Sequence, residues 1–456
     1  MDDAISFGTD GWRARLETFT DDRVRMVGQA VADYLDDAGR DAPVAVGYDA
    51  RETSEGFAES LADVLAANGF DVLLPQRDCP TPVVAWAVVD RDLAGALMVT
   101  ASHNPPEYNG VKFIPDDGAP ALPAVTDAIE ARLAEPRDDG PRGSTDRVDL
   151  VDAHAAQARS VTDADCSGLT VVYDAIHGSG RGVTDALLEG AGATVIRRRC
   201  ERDADFGGVS PEPSADNLGG LVDAVETHDA DLGIANDGDA DRIAVVTPER
   251  GFLDENLFFA AVYDALLEDR SGPAVRTVST TFLIDRIAEA RGEDVFETAV
   301  GFKWVAQAMV DHDALMGGEE SGGFTVRGHI PQKDGVTMAL LAADVAAAEP
   351  MDHRVDRLLD THGDIVADKV SVDCPDDRKA GVIASLGDAI PDRLAGHAVE
   401  DVVTVDGFKL LLDDGSWVLV RPSGTEPKLR VYAEAGSRAR VDELLDAGRD
   451  LVEAHL

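Results

Sequence analysis

The sequence predicts an α/β protein with three consecutive, similar α/β domains of mixed, largely parallel sheets and a smaller C-terminal α+β domain. Apolar runs of strand length alternate with helical segments in three successive parts of the 456-residue chain, as in βαβ units. Each part ends a strand in a loop of polar residues, so the three parts form a repeat at domain scale. From about Asp368 the pattern changes to an amphipathic helix and further strands.

The apolar pattern also places individual elements and boundaries. The segment 135–144 combines charged residues with Pro and Gly, which indicates a linker. The predicted domains are residues 1–140, 150–250, 251–366 and 367–456. The predicted strands are 44–48, 71–74, 94–99, 170–173, 194–196, 232–235, 275–278 and 315–317, and helices are predicted near 55–68 and 303–310.

The composition is strongly acidic. Asp and Glu number 87 against 41 Lys and Arg, for a formal net charge of -46, which argues against nucleic acid or an anionic membrane as a partner. The charge is spread along the chain, as on hydrated surfaces in salt-rich cytoplasm, so we expect salt-dependent folding. Because the N-terminus is acidic and no apolar run approaches the ~20 residues of a membrane span, we expect a cytoplasmic protein. We expect it to be either a monomer or a homodimer.

Lysine and cysteine are both scarce. Only seven residues are Lys, and four of these lie within polar motifs, which suggests that they bind anions. They are Lys112, Lys303, Lys333 and Lys428. The cysteines are far apart, with no Cys-x-x-Cys and no His at metal-binding spacing, so we expect free thiols. They are Cys79, Cys166, Cys200 and Cys374.

The loop 100–112 follows a predicted buried strand, so Ser102 lies just past the carboxyl end of that strand, where open α/β sheets bind ligands. Two prolines and an Asn-Gly pair exclude a helix and hold Ser102, His103 and Lys112 near one another. A polar turn is the alternative for a lone Ser-His pair. Neighbouring side chains point apart, so the pair is a poor nucleophile and general base, and the flanks lack the Gly-x-Ser-x-Gly pattern of a hydrolase.

Asp237, Asp239 and Asp241 are spaced two residues apart, so a turning backbone could bring their carboxylates onto one hard cation. An EF-hand would need Gly in place of Arg242 and Glu in place of Pro248, which excludes that kind of site. A solvated acidic turn is the remaining alternative. Three oxygen ligands without His or Cys favour Mg²⁺. Arg242 is placed to meet a phosphate.

Two other segments contain candidate ligand contacts. Glu319 and Ser321, between glycines, offer acceptors that fit vicinal sugar hydroxyls. His329 and Lys333 are candidates for a proton carrier and a phosphate contact, with a core or capping histidine as an equal alternative.

A dense cluster of possible phosphate-binding groups lies near the C-terminus. Between 421 and 430 a rigid turn supplies guanidinium groups, hydroxyls and backbone N–H groups, which together match a phosphate dianion, although a surface turn is the alternative. The residues concerned are Arg421, Ser423, Gly424, Thr425 and Arg430.

The N-terminal loop 7–13 places two glycines beside polar groups, including Thr9 and Arg13, which suits contact with a ligand. In so acidic a protein, an anionic ligand requires local cations that outweigh the overall negative field. The cations that could act together are Arg13, Lys112, Arg242, Lys303, Lys333, Arg421, Lys428 and Arg430.

These motifs, in their order along nearly the whole chain, resemble those of the α-D-phosphohexomutase family of phosphoglucomutases and phosphomannomutases. The string Thr-Ala-Ser-His-Asn-Pro-Pro from Thr100 is the most specific of them. The resemblance implies an enzyme that interconverts hexose 1-phosphate and hexose 6-phosphate through a phosphoserine and a 1,6-bisphosphate. It also implies Mg²⁺ as cofactor and glucose 1,6-bisphosphate as activator. A phosphoglucosamine mutase and a non-catalytic sugar-phosphate-binding protein are the alternatives.

By the same resemblance, Ser102 is the phosphoserine and joins Asp237, Asp239 and Asp241 at the Mg²⁺ site. Residues implied to hold the sugar are Glu319 and Ser321, and those implied to hold its distal phosphate are Arg421, Ser423, Thr425 and Arg430.

The sequence departs from the family in one place and is informative in another. Several bispecific members carry a histidine where this chain has Gly323, so the proton carrier stays open. Its candidates are Lys112, His103 and His329. The Glu319-Glu320-Ser321 run resembles phosphoglucomutases more than the Glu-Gln-Ser of phosphoglucosamine mutases. We therefore expect glucose 1-phosphate as the best substrate, mannose 1-phosphate as second and glucosamine 1-phosphate as poor.

Overall fold

The computed structural model of the chain describes residues 4–8, 11–137, 142–387, 389–424 and 426–456. Its architecture is three α/β domains with mixed sheets, followed by a C-terminal domain with a separate antiparallel sheet, which confirms the predicted fold class.

Domain I is built on a six-stranded sheet of order β1-β5-β4-β2-β3-β6. Strands β2, β3, β4 and β6 run parallel, whereas β5 is antiparallel to β4 and to β1. Its strands are β1 (Trp12–Arg15), β2 (Val44–Tyr48), β3 (Val72–Pro75), β4 (Gly95–Val99), β5 (Tyr108–Pro115) and β6 (Thr145–Val148). Its helices are α1 (Asp21–Asp37), α2 (Ser54–Ala67), α3 (Thr81–Asp90) and α4 (Pro123–Glu130).

Domain II repeats this plan in a five-stranded sheet of order β11-β10-β9-β7-β8. Its strands are β7 (Thr170–Asp174), β8 (Thr194–Arg198), β9 (Leu232–Asn236), β10 (Ile243–Thr247) and β11 (Gly251–Leu253). Its helices are α5 (Val151–Thr162), α6 (Thr184–Gly190) and α7 (Gly219–Thr227), with a short 3₁₀ turn at Phe206–Gly208.

Domain III has a four-stranded sheet of order β13-β12-β14-β15. Its strands are β12 (Ala274–Thr277), β13 (Val295–Thr298), β14 (Met316–Glu319) and β15 (Gly323–Val326). Its helices are α8 (Glu255–Asp269), α9 (Leu283–Arg291), α10 (Phe302–Asp311), α11 (Gly335–Ala348) and α12 (Met351–His362).

Domain IV has a six-stranded antiparallel sheet of order β16-β21-β20-β19-β18-β17. Its strands are β16 (Val366–Asp373), β17 (Arg393–Leu394), β18 (His397–Val403), β19 (Phe408–Leu412), β20 (Trp417–Pro422) and β21 (Lys428–Ala435). Its helices are α13 (Asp376–Gly387) and α14 (Arg438–Glu453).

The three α/β domains place their polar loops at equivalent points. In each domain the loop joins a parallel strand to the antiparallel strand beside it, in the pairs β4–β5, β9–β10 and β14–β15. We call residues 100–110 the nucleophile loop, 237–241 the metal loop, 319–323 the sugar loop and 421–430 the phosphate loop. The carboxyl ends of equivalent strands meet at one edge of each sheet, which brings these loops toward a common centre.

The hydrophobic interior is divided unevenly. One cluster of buried side chains runs from β4 and α3 of domain I through β7 and β9 of domain II to α8 and α11 of domain III. Domain IV has its own core and meets domain III through a small cluster around Trp417 and Phe282. There Lys409 is fully buried, with Nζ 4.0 Å from the Phe282 ring centre and 3.0 Å from Glu297 Oε2.

Two further features of the described residues concern the cysteines and the helices. The four cysteines are free thiols, as predicted. Among the described residues, no helix has both the length and the apolar character that crossing a lipid bilayer requires.

Candidate active site

The nucleophile, sugar and phosphate loops line a cleft of about 900 Å³ to which all four domains contribute, and Arg242, which follows the metal loop, lines it as well. Its lining is rich in cations, as expected for an anionic ligand in an acidic protein. The predicted site residues that line it are Arg13, His103, Arg242, Lys303, Glu319, Ser321, Lys333, Arg421, Ser423, Gly424 and Arg430. The predicted contacts Thr9 and Thr425 lie outside the described residues.

Ser102 is fully buried at the start of the nucleophile loop. Its Oγ–H donates to Asp237 Oδ2 at 2.8 Å, and His103 Nδ1 lies 3.3 Å from the same Oγ. The expectation that Ser102 and His103 point apart was wrong. Ser102 has a left-handed backbone with φ of 53°, and this turn brings the two neighbouring side chains to the same side.

The three aspartates of the metal loop converge as predicted. Asp237, Asp239 and Asp241 are each 0% exposed, and one carboxylate oxygen of each lies within 4.8 Å of the others. Lys112 Nζ is 3.0 Å from Oδ2 of both Asp239 and Asp241, and Lys333 Nζ is 3.2 Å from Asp241 Oδ2. Lys112 is therefore a partner of the metal loop.

The metal loop fits a hard divalent cation. The Oδ1 atoms of Asp239 and Asp241 are buried and accept no hydrogen bond from any described residue. Burial, with the nearby charges of Asp239 and Asp241, raises the pKa of Asp237 well above its usual value. A cation among the three carboxylates would relieve both penalties, and an all-oxygen donor set suits Mg²⁺.

Helix α3 of domain I supports the metal loop across the domain boundary. The Thr81 backbone N–H donates to Asp239 O at 2.9 Å, and its hydroxyl donates to Asp239 Oδ2 at 2.7 Å. The Ser179 N–H donates to Gly238 O at 3.0 Å. Neither Thr81 nor Ser179 was predicted from the sequence, because each acts on a loop distant along the chain.

His103 is held neutral by its surroundings. The Arg242 charge, then burial, then the charges of Arg13 and Lys333 lower the pKa of His103 far below its usual value. A neutral imidazole can accept a proton only after these cations are offset by an anion.

His329 does not reach the cleft, so its proposed role as proton carrier is wrong for this structure. Its side chain is 1% exposed, and its Nε2 lies 2.6 Å from Asp334 Oδ2. The same carboxylate oxygen is 2.6 Å from His154 Nε2 of domain II, and the His329 ring stacks on Trp86 of domain I. His329 is therefore a core histidine, the alternative stated from the sequence, and its contacts join domains I, II and III.

The sugar loop lies beside the metal loop. Ser321 Oγ–H donates to Glu319 Oε1 at 2.6 Å, and the Ile243 N–H donates to Gly322 O at 3.0 Å. The departure at Gly323 has a steric reason, because a Cβ there would lie 2.5 Å from Lys333 Cδ. Lys333 therefore occupies the space that a side chain at position 323 would need.

The arginines of the phosphate loop pair with carboxylates that a phosphate could replace. Arg421 Nε donates to Asp406 Oδ2 at 2.8 Å, and Arg430 Nη2 donates to Glu426 Oε2 at 2.9 Å. Lys379 Nζ donates to the backbone oxygen of Glu426 at 2.5 Å and so braces the loop from behind.

Several cleft residues were missed by sequence reasoning. Lys369 of β16 and Glu212 of domain II line the cleft, as does Glu255 in the first turn of α8. Burial, then the charges of Asp254 and Glu320 against that of Lys369, raises the pKa of Glu255 to about 7. Isolated charged residues carry no sequence signal of this kind, although the scarcity of Lys was a signal for Lys369.

The four domains match, in order, the four domain models of one family. The models are phosphoglucomutase/phosphomannomutase alpha/beta/alpha domains I, II and III, at residues 4–139, 145–251 and 254–362, and the C-terminal domain, at 370–451. This chain belongs to the phosphoglucomutase/phosphomannomutase family. The resemblance inferred from the sequence is thereby confirmed. Members are phosphohexomutases, that is, isomerases that transfer a phosphoryl group within one molecule, and this chain is such an enzyme.

Individual relatives cover almost the whole chain but differ in the sugar they are named for. A "Probable phosphoglucosamine mutase" of Methanopyrus kandleri is 34% identical over 98% of this chain and 97% of its own length. A "Phosphoglucomutase/phosphomannomutase" of Thermococcus kodakarensis is 32% identical over 99% of both. The crystal structure of a phosphoglucomutase/phosphomannomutase family protein from Burkholderia thailandensis superposes with a TM-score of 0.86 at 25% identity, covering 99% of this chain and 98% of that one.

Proposed function

We propose that this phosphohexomutase interconverts glucose 1-phosphate and glucose 6-phosphate through phospho-Ser102 and a glucose 1,6-bisphosphate intermediate. One observation carries the proposal: the Ser102 hydroxyl donates to Asp237 Oδ2 at 2.8 Å, beside two further buried carboxylates. A hydroxyl in that position, next to a cation-lined cleft, is placed to carry a phosphoryl group.

In the proposed mechanism, Asp237, Asp239 and Asp241 of the metal loop would hold Mg²⁺. When bound, the ion neutralises phosphate charge and polarises the phosphorus for attack. Lys112 contacts two of these carboxylates and keeps their positions fixed. Arg242 and Lys333 line the adjacent cleft, where they would bind the oxygens of the transferring group.

We propose that His103, whose Nδ1 lies 3.3 Å from Ser102 Oγ, accepts the hydroxyl proton, which Ser102 otherwise donates to Asp237, as Ser102 attacks phosphorus. Arg242, burial and Arg13 lower the pKa of the free imidazole. A phosphate dianion bound among these cations would raise that pKa again, so His103 becomes a base only in the complex. Lys112 is the second candidate, although its ammonium is engaged by two aspartates.

The distal phosphate would bind Arg421, Ser423, Gly424, Thr425 and Arg430, with Lys303 and Arg13 at the cleft walls. In this scheme the bisphosphate turns end for end, so one loop must read the phosphate of either orientation. Glu319 and Ser321 would hold the ring hydroxyls. Glucose 1,6-bisphosphate would act as activator by phosphorylating Ser102. The acidic surface fits a halophilic cytoplasmic protein, as proposed from composition.

A glucosamine phosphate is the second candidate substrate, and one observation favours it. Glu320, within the sugar loop, and Glu255, beside it, line the cleft, where carboxylates could pair with a ring ammonium. Against it, the Glu-Glu-Ser run resembles that of phosphoglucomutases. The deciding experiment is kcat/KM for glucose, mannose and glucosamine 1-phosphates with Mg²⁺ and catalytic glucose 1,6-bisphosphate in high KCl.

We expect glucose 1-phosphate to be best, mannose 1-phosphate second and glucosamine 1-phosphate poor. A preference for glucosamine 1-phosphate would refute the sugar assignment but keep the mutase mechanism. No turnover of any of the three, with sugar-phosphate binding retained, would instead indicate a non-catalytic binding protein.

A further inference from the structure

One buried arginine of domain I, Arg51, lies beneath the nucleophile loop. It follows β2, the strand directly beside β4, whose end leads to Ser102. Its side chain is 1% exposed. A guanidinium removed from water is tolerated only when its N–H groups find hydrogen-bond acceptors.

Arg51 donates four hydrogen bonds to backbone carbonyls of the nucleophile loop. Its Nη1 donates to Pro105 O at 2.7 Å and to Tyr108 O at 3.1 Å. Its Nη2 donates to Ser102 O at 2.8 Å and to Asn104 O at 2.7 Å. The planar fork of a guanidinium can span these acceptors at fixed angles, which a lysine ammonium cannot do.

These contacts are part of a closed ring of hydrogen bonds around the nucleophile. Arg51 Nε donates to Asp49 Oδ2 at 3.0 Å, and the Thr100 hydroxyl donates to the same oxygen at 2.7 Å. The Ser102 backbone N–H donates to Thr100 Oγ1 at 2.8 Å, and Arg51 closes the ring at Ser102 O. Both backbone polar groups of Ser102 are therefore fixed from below.

Ser102 needs such support because its backbone conformation is unfavourable. With φ of 53° it lies in the left-handed region, which a residue other than Gly keeps only when its surroundings enforce it. The Ser102 carbonyl also has little room, since a Cβ at Gly238 would lie 2.7 Å from it. On the far side, the Phe206 ring of domain II lies 5.1 Å from Arg51 Cζ.

We propose that Arg51 is a positioning residue for phosphoryl transfer, which holds Ser102 in its left-handed conformation and so keeps Oγ on Asp237 and beside His103. The inference rests on the proposed role of Ser102 as nucleophile. Arg51 does not line the cleft. Its loss should therefore lower kcat while leaving KM for the hexose phosphate nearly unchanged, because the cleft residues that bind substrate are untouched.

The test compares Arg51→Lys with Arg354→Lys. Arg354 is a matched control, since its side chain is 2% exposed against 1% for Arg51 and it also binds carboxylates. Its partners, Asp264 and Glu268, lie in domain III. We expect Arg51→Lys to lower kcat by about 10- to 100-fold, the effect of a small misplacement of a reacting group, with KM changed less than about threefold. Arg354→Lys should keep wild-type kcat, even where both variants melt at a lower temperature.

A second variant, Thr100→Val, opens the same ring while leaving the buried Asp49–Arg51 pair in place, and covers the case in which Arg51→Lys does not fold. It should also lower kcat at constant KM. Wild-type kcat in Thr100→Val or in folded Arg51→Lys would overturn the proposal, as would a change confined to KM. Ser102→Ala separates the two claims: if it retains turnover, the proposed function itself fails, whereas an inactive Ser102→Ala beside a fully active Arg51→Lys refutes only the role of Arg51.

Discussion

The two ends of the cleft are constructed in different ways. At the nucleophile end, Ser102 and the metal loop are fully buried, and one hydrophobic core joins domains I, II and III. At the opposite end, the phosphate loop belongs to domain IV, which has its own core and a small contact with domain III. Arg430 there is 26% exposed and shares its carboxylate partner with Lys428.

This difference corresponds to what each end has to do. Phosphoryl transfer requires reacting groups held within a fraction of an ångström, which a shared core and buried hydrogen bonds provide. Under the proposed mechanism the distal phosphate is accepted in two orientations of the sugar, and a separate domain whose cations pair with replaceable carboxylates would allow that. Asp406 and Glu426 accept hydrogen bonds from the guanidinium groups of Arg421 and Arg430, which a phosphate could take over.

The largest effect should come from the fixed end. Asp239→Asn removes a carboxylate that has a buried, unpartnered Oδ1, so we expect kcat to fall by about a thousandfold, as when several kcal/mol of metal stabilisation are lost. Removal of Mg²⁺ by EDTA should give a similar loss that added Mg²⁺ reverses in the wild type. Asp223→Asn, at an exposed position of α7, is the control and should leave kcat unchanged. An Asp239→Asn variant with near-normal kcat would show that the metal loop is a structural turn.

The adjustable end should show a mixed effect. Arg421→Ala removes a guanidinium that both binds and orients phosphate, so kcat/KM should fall by about 30- to 900-fold, equivalent to about 2 to 4 kcal/mol, through a higher KM and a lower kcat. Arg449→Ala, in α14 with a side chain 41% exposed, serves as control. Asp406→Asn, which frees Arg421 without removing it, should cost far less. If Arg421→Ala altered neither constant, the phosphate loop would lose its assigned role.

A smaller effect concerns Glu255, at the boundary between the two ends. Burial and neighbouring carboxylates raise its pKa from 4.5 to about 7, so Glu255 is protonated more readily in the folded protein than in the unfolded chain. Its contribution to stability is present below pH 4.5 and is lost as the pH rises through about 7.

Glu255→Gln should therefore raise the free energy of unfolding by about 1 to 3 kcal/mol at pH 8, with a smaller gain at pH 5. Denaturant unfolding at the two pH values measures this, with the exposed Glu226→Gln of α7 as control. An equal change in the free energy of unfolding at both pH values would contradict a raised pKa at Glu255.

The smallest effect per residue is the response of the surface to salt. With a net charge of -46, mutual repulsion should be screened by KCl, so the melting temperature should rise from low to molar KCl. Because domain IV is joined to domain III by a small contact, its unfolding should respond first. A melting temperature that falls with KCl would refute the halophilic interpretation.

Much of this site could be predicted from local sequence, because its chemistry sits in short contiguous loops. The strand at 44–48 was placed correctly to the residue, and Ser102, the three aspartates and Arg421 came from motifs in single segments. What failed depended on conformation or on distant partners. The left-handed backbone of Ser102 places its side chain beside that of His103, contrary to the prediction. His329 lies in the core, where it contacts Asp334, which also contacts His154. Strand β6, short and mostly exposed, lacks the apolar pattern that predicts strands.

The most direct test of the account is to identify the residue that carries the phosphoryl group. The protein is incubated with glucose 1,6-bisphosphate and Mg²⁺, and its peptides are mapped by mass spectrometry before and after addition of excess glucose 1-phosphate. The account predicts one phosphoryl group on the peptide containing Ser102. This group passes to the added sugar as glucose 1,6-bisphosphate forms and is restored to Ser102 as glucose 6-phosphate forms, and it is absent from an inactive Ser102→Ala variant. A phosphoryl group on another residue, or undiminished turnover in Ser102→Ala, would contradict it.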